Sequence, residues 1–147
     1  MLERMPAADV VIMAAAVADY TPVSGAAPQK IAKTSNETLT LTLAKTRDIL
    51  ADLGRTRGSS SRPLLVGFAA ETDEVVSKAR AKLQAKHVDL IVANDVSRAD
   101  AGFEVDTNAA TLVSADALEE LPLQSKRALA GRILDRVSTL LQAAPAR

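Results

Sequence analysis

A chain of 147 residues is long enough for one domain with a buried core, and 18 Lys+Arg against 18 Asp+Glu leave no net field to draw it to nucleic acid or an anionic membrane. The absence of cysteine excludes disulfides, thiolate metal sites and a cysteine nucleophile, and the single His87 excludes multi-histidine metal sites. Aromatics at 2% offer little surface for stacking single-stranded bases, and no stretch approaches the roughly 20 apolar residues of a spanning helix, so neither nucleic acid nor membrane is an expected partner and the expected location is cytoplasmic.

Met1 to Ala8 read as the tail of a helix broken by Pro6. The run from Asp9 through Ala18, closed by Asp19 and Tyr20, is apolar and rich in small residues, which predicts a strand buried on both faces, as in a parallel sheet. Ligands of open α/β sheets bind beyond the carboxyl ends of such strands. Asp19 falls there, as does Lys30 across the Pro- and Gly-broken loop Thr21 to Pro28. Leu39, Leu41 and Leu43 alternate with Thr38, Thr40 and Thr42, the period-two pattern of a strand with one apolar face, placed at an edge or on a protruding arm. Thr46 suits the N-cap of a helix from Arg47 to Leu53, with Asp48 in its first turn. Arg55 to Arg62 reads as a solvated loop.

Leu64 to Phe68 predicts a second buried strand. Glu71 to Lys86 predicts a long amphipathic helix with Val75, Ala79 and Leu83 on one stripe and Lys78, Lys82 and Lys86 on another. Val88 to Ala93 is a third strand, ending in Asn94-Asp95, and the β-α-β order calls for parallel strands joined by a right-handed crossover. Phe103 to Val105 and Ala110 to Ser114, separated by Asp106-Thr107-Asn108, read as a short antiparallel hairpin. Ser125 caps a terminal helix with the stripe Leu129, Ile133, Val137 and Leu140, and Pro145 to Arg147 are expected to fray. The expected fold is α/β, a three-layer Rossmann-like, mostly parallel sheet with an appended antiparallel hairpin or arm, in a single domain over residues 1–147.

No Walker A loop and no G-x-G-x-x-G is present, so a phosphate site has to be assembled from separate charged groups. Asp19 fits a Mg²⁺ ligand or hydroxyl acceptor, and equally a solvated loop carboxylate. Lys30 and Lys33 fit a polyphosphate, or the lysines that shield an edge strand. Lys82 and Lys86 share a helix face that suits a phosphate, a ribose or plain solvent. Phe68, where a strand ends, suits a base pocket or the core, and His87 a surface position near a helix end without a catalytic role.

Taken in order, Ala14-Ala15-Ala16-Val17-Ala18-Asp19-Tyr20, Lys30-Ile31-Ala32-Lys33, Thr46-Arg47-Asp48-Ile49-Leu50, Val66-Gly67-Phe68-Ala69-Ala70-Glu71-Thr72 and Ala93-Asn94-Asp95-Val96 resemble the phosphopantothenoylcysteine synthetase domain of the bacterial bifunctional coenzyme A biosynthesis protein. The likeness continues through Phe103, Asp106, Asn108, Ser125-Lys126 and the last helix. The resemblance implies a CTP- and Mg²⁺-dependent phosphopantothenate–cysteine ligase, which joins 4′-phosphopantothenate to cysteine through an acyl-cytidylate and releases pyrophosphate and then CMP. A carboxylate attacking an α-phosphate brings anion toward polyanion, so such a site has to hold cations in place beforehand.

By the same resemblance, Asp19 serves CTP or its cation, and Lys30 is the catalytic lysine on the triphosphate and the intermediate. The backbone around Arg47, Asp48, Ile49 and Leu50 meets the nucleotide, Phe68, Lys82 and Lys86 complete its pocket, Ala15 approaches the phosphates through its backbone, and Asn94 is a further candidate. A homodimer formed through the arm and a phosphopantothenoylcysteine decarboxylase domain in the parent protein are also implied. The chain departs from the family in two places: the family has Lys-Ile-Lys-Lys at Lys30 to Lys33, and Pro at Arg47. The resemblance further implies a ligase domain lacking its Gly-rich first strand-turn-helix region, so that the isolated chain is expected to be incomplete as an enzyme. The competing expectation is a non-catalytic nucleotide-binding or regulatory relative that acts through the Leu39-Leu41-Leu43 dimerisation arm.

Overall fold

The structure, a computed structural model, describes residues 1–25, 27, 29–30, 38–96 and 105–144. Ile31, Ala32, Lys33, Phe103 and the terminal residues 145–147 lie outside the described residues. In chain order the elements are a turn of 3₁₀ helix at Leu2–Ala7, β1 (Val10–Met13), β2 (Tyr20–Pro22), β3 (Leu43–Lys45), α1 (Ile49–Arg57), β4 (Leu64–Glu71), α2 (Val75–Lys86), β5 (Leu90–Asp95), β6 (Thr107–Ser114), β7 (Leu118–Ser125) and α3 (Lys126–Ala143). They form two compact units, a body of Met1–Ala14 with Ile49–Arg147 and a ribbon of Ala15–Asp48.

The body is an α/β unit around a sheet in the order β1-β4-β5-β6-β7. β1, β4 and β5 run parallel, while β6 is antiparallel to both neighbours. Alternation along β4 divides the core in two. Leu65 and Ala69 pack with Leu50, Leu53, Ala79 and Leu83 under α1 and α2. Leu64, Val66 and the half-buried Phe68 pack with Leu129, Ile133 and Val137 under α3. Helices on both faces and strands buried between them give the three layers the sequence called for. Gly67 belongs to the first face, where an added Cβ would stand 2.5 Å from Leu50 Cδ2 and 3.0 Å from Ile91 Cδ1. Its missing side chain is what lets α1 settle on the sheet.

Several elements differ from the sequence expectation. The first strand stops at Met13 and is not buried on both faces. Among the described residues it pairs with β4 alone, Ile12 is 40% exposed, and Ala14 to Ala18 lie outside any strand. The first α-helix runs from Ile49 to Arg57 rather than from Arg47 to Leu53, and Thr46 does not cap it: its hydroxyl donates to the Ala18 carbonyl at 2.5 Å. α2 starts at Val75 after Glu74, which takes a left-handed φ of 45°, and ends at His87 with φ 52°.

The hairpin is formed by β6 with β7, so Thr107 and Asn108 lie in a strand and not in a turn. β7 carries Leu118-Glu119-Glu120-Leu121-Pro122, which hides its alternation; Pro122 is tolerated because among the described residues β7 is the outermost strand, paired with β6 alone. Ser125 caps α3 as expected, its Oγ accepting from the Ala128 amide at 3.1 Å, and Leu129, Ile133 and Val137 are buried.

At the turn of this hairpin the buried Ser114 hydroxyl donates to Asp116 at 2.8 Å, and Arg136 Nη2 donates to Ser114 at 2.7 Å and to Asp116 at 3.1 Å. The Ser114 hydroxyl above all, then the residue's own backbone amide and Arg136, hold the Asp116 carboxyl below its ordinary value of 3.8. A carboxyl depressed by folding stabilises the native state above the unfolded value and loses that contribution as pH falls through the lower folded one. Below about pH 4, therefore, the urea midpoint should fall more steeply for the unaltered chain than for Asp116→Asn. Parallel pH profiles would show that the carboxyl is not linked to folding.

The ribbon is a two-stranded antiparallel pair with Tyr20 opposite Lys45 and Pro22 opposite Leu43. The pairing continues through Val23 N–H to the Thr42 carbonyl (3.0 Å) and Thr46 N–H to the Asp19 carbonyl (2.9 Å). The predicted strand at Leu39–Leu43 is thus confined to Leu43–Lys45. Leu39, Leu41 and Leu43 are 67%, 57% and 51% exposed.

Candidate functional site

In the ribbon, Ala15, Asp19, Lys30, Arg47 and Asp48 are all exposed. The ladder ends where Asp19 meets Thr46, held twice: by the Thr46 amide on Asp19 O and by the Thr46 hydroxyl on Ala18 O. This brings the backbone of Ala18-Asp19 beside that of Thr46, immediately ahead of Arg47-Asp48, so residues far apart in sequence meet at the foot of one ribbon. Lys30 makes no ion pair among the described residues. No group of three or more potential metal-ligating side chains occurs among the described residues. A lone exposed Asp19 fits Mg²⁺ as that ion is ordinarily held, by one or two carboxylates with water and substrate phosphates completing the shell, and does not fit an all-protein cage.

In the body, Ile49 and Leu50 open α1 with their side chains against the α1/α2 core; Leu50 is 7% exposed, which leaves its backbone as the part able to meet a ligand. Lys82 and Lys86 lie one turn apart on α2. Lys82 Nζ is 2.5 Å from Glu71 Oε1, and Lys78 pairs with Asp73. The Lys78 hydrogen bond lowers the Asp73 carboxyl and, reciprocally, raises the Lys78 ammonium. Glu71 ends β4 rather than opening the helix; its side chain is 11% exposed and fixes where Lys82 points. Phe68 does not complete a side-chain pocket with Lys82 and Lys86. One step of strand alternation sends it to the α3 face, opposite the face covered by α2.

What Phe68 lines instead is a cavity of about 340 Å³ at the carboxyl ends of β4 and β5, walled by Ala70, Asn94, Asn108, Lys126, Leu129 and Ile133 among others. The side-chain oxygens of Asn94 and Asn108 are buried there, with no hydrogen-bond partner among the described residues. Asn108 and Lys126 entered the sequence reading only as points of resemblance, because neither spacing nor periodicity marks two residues that converge from a strand and a helix.

The sequence profile of the DNA/pantothenate metabolism flavoprotein C-terminal domain matches residues 1–141. The chain belongs to this family. The family domain here is 44% identical over 134 residues to the coenzyme A biosynthesis bifunctional protein CoaBC of Vibrio vulnificus strain YJ016, covering 90% of this chain and 33% of that protein. It is likewise 44% identical over 141 residues to the CoaBC protein of Bacillus subtilis strain 168, covering 95% of this chain and 34% of the relative. The chain thus spans about a third of the length of the curated relatives it matches. Its fold matches the crystal structure of the C-terminal domain of a CoaBC protein with a TM-score of 0.71 at 33% identity, over 97% of this chain and 59% of that one.

Proposed function

We propose that this domain is the ligase part of a coenzyme A biosynthesis protein, and that the full domain joins 4′-phosphopantothenate to cysteine at the expense of CTP through an acyl-cytidylate. The observation that carries the reading is the foot of the ribbon, where the exposed Asp19 is bound through backbone to the segment leading into Arg47 and Asp48. Family membership and the similarity to CoaBC proteins support the same pathway. On this reading Asp19 holds the cation that accompanies the triphosphate, and Lys30 stabilises the charge that builds on the α-phosphate when the substrate carboxylate attacks. Ala15, Arg47 and Asp48, all exposed residues, contribute main-chain contacts to the nucleotide on this reading. The cation polarises the phosphate and offsets its charge.

Calorimetric titration of CTP with Mg²⁺ tests the reading. Binding is expected for the chain, loss of that heat in excess chelator, and about a tenfold weaker affinity in Lys30→Gln, the worth of one charge-assisted contact. A chain extended upstream should release pyrophosphate only when phosphopantothenate is present. Absence of CTP heat in both the chain and its extended form would end the proposal. The exposure of Leu39, Leu41 and Leu43 favours a second role for the ribbon in pairing two copies. Light scattering that gives a monomer mass at high concentration would dispose of that role.

A further inference from the structure

We infer that Thr46 is a positioning residue, which aims the Asp19 carboxylate by gripping both peptide planes that flank it. The peptide bond is planar, so a residue is aimed by the two planes on either side of its Cα. The Ala18 carbonyl belongs to the plane before Asp19, and the Asp19 carbonyl to the plane after it. The Thr46 hydroxyl donates to the first at 2.5 Å and the Thr46 amide to the second at 2.9 Å. With both planes held, φ and ψ of Asp19 are set, and with them the direction of its Cα–Cβ bond. The carboxylate has no hydrogen bond or ion pair of its own among the described residues, so its main chain has to aim it.

Pairing of the two strands needs only the amide bond. At its other end the ladder closes on Val23 N–H to the Thr42 carbonyl, with no side chain taking part among the described residues. The extra bond at the foot falls on Ala18, which lies outside any strand. Without it, the peptide before Asp19 has no hydrogen-bond partner among the described residues. Threonine suits the task, since it carries a short hydroxyl donor on a β-branched side chain whose χ1 is stiff. What the aimed carboxylate holds rests on the ligase reading, which makes it the cation that accompanies CTP. Partners that orient a metal ligand from behind are ordinarily worth about 10–100-fold in metal affinity.

Thr46→Val deletes the hydroxyl and keeps the branched shape, and Thr46→Ser restores the hydroxyl. The Asp19 N–H lies in the plane held by that hydroxyl. Its NMR order parameter should be about 0.85 in the unaltered chain and in Thr46→Ser, and below about 0.6 in Thr46→Val. The Tyr20 N–H, in the plane held by the amide, should stay at about 0.85 in all three. In calorimetric titrations of CTP, the Mg²⁺ concentration at half-maximal binding should rise about tenfold in Thr46→Val and return in Thr46→Ser. Asp19→Asn should raise it at least as much. Adding Thr46→Val to Asp19→Asn should change nothing further, because a residue that acts through Asp19 then has no carboxylate to aim. An ordered Asp19 amide in Thr46→Val, a Mg²⁺ requirement unchanged in Thr46→Val or in Asp19→Asn, or an additive double variant would each overturn the inference. Any of those results beside CTP heat in the unaltered chain leaves the ligase reading standing. No CTP heat, with order lost at Asp19 in Thr46→Val, would remove the ligase and uphold Thr46 as the residue that fixes Asp19.

Discussion

Asp89→Ala is expected to lose about 2–3 kcal/mol of stability, the cost of leaving a guanidinium and a buried backbone amide without their acceptor. Asp89 stands just ahead of β5 and accepts from the Leu65 amide at 2.7 Å and from the Arg57 guanidinium. Arg57 is the last residue of α1, and its side chain is 7% exposed. It also donates to the Pro63 carbonyl at 3.1 Å and the His87 carbonyl at 2.8 Å. One guanidinium therefore fastens the ends of α1 and α2 to the amino ends of two parallel strands. The 0–1 kcal/mol typical of exposed pairs does not apply in full here, because the Arg57 side chain is 7% exposed, although Asp89 at 25% leaves the pair partly solvated.

Asp89→Asn, which keeps an acceptor for the Leu65 amide, should lose less. Arg57→Met combined with Asp89→Ala should recover part of the loss, since the stranded charge is gone. Urea unfolding of the four proteins measures this. A loss under about 1 kcal/mol for Asp89→Ala would show that Arg57 is effectively solvated.

Gly54→Ala should cost about 3 kcal/mol, the upper end of what overpacking does. Glycine inside a helix is ordinarily worse than alanine by up to about 1 kcal/mol, so propensity alone predicts the opposite sign. The close approach of α2 decides it. A Cβ on Gly54 would run into the Lys86 carbonyl oxygen and stand 3.0 Å from the Lys86 carbonyl carbon and 3.2 Å from His87 O. These are main-chain atoms that cannot swing aside as a side-chain tip could. Gly131 of α3 is the internal comparison, because nothing lies within 4 Å of a Cβ added there. Gly131→Ala should therefore stabilise by about 0.5–1 kcal/mol. Thermal melts of the two variants should move in opposite directions; a stabilised Gly54→Ala would mean that α1 and α2 are not in contact through Gly54.

Where a pattern is local, the sequence was a good guide. Val75, Ala79 and Leu83 fall on the buried side of α2, and Ser125 with Leu129, Ile133 and Val137 marks α3 from cap to stripe. The apolar runs at Leu64 and Leu90 become the two central strands, buried on both faces. The apolar run at Val10 misled because composition cannot distinguish a central strand from an edge one. Only the number of neighbours does, and among the described residues β1 has β4 alone. Thr46 misled for a related reason: a hydroxyl ahead of a helix reads as a cap, but here a nearer acceptor, Ala18 O, comes from a segment 28 residues away.

Sequence by itself determined the α/β class, the identities of the buried stripes and, through the ordered blocks from Ala14 to Val96, the family. Tertiary structure alone decided that Asp19 meets Thr46, that Phe68 turns from the lysine helix toward α3, and that Asn94, Asn108 and Lys126 converge on one cavity. The division has a physical cause. Burial and periodicity are properties of neighbours along the chain, whereas the convergence of polar groups depends on strand order and on which face each strand turns inward, and these are fixed only when the sheet closes.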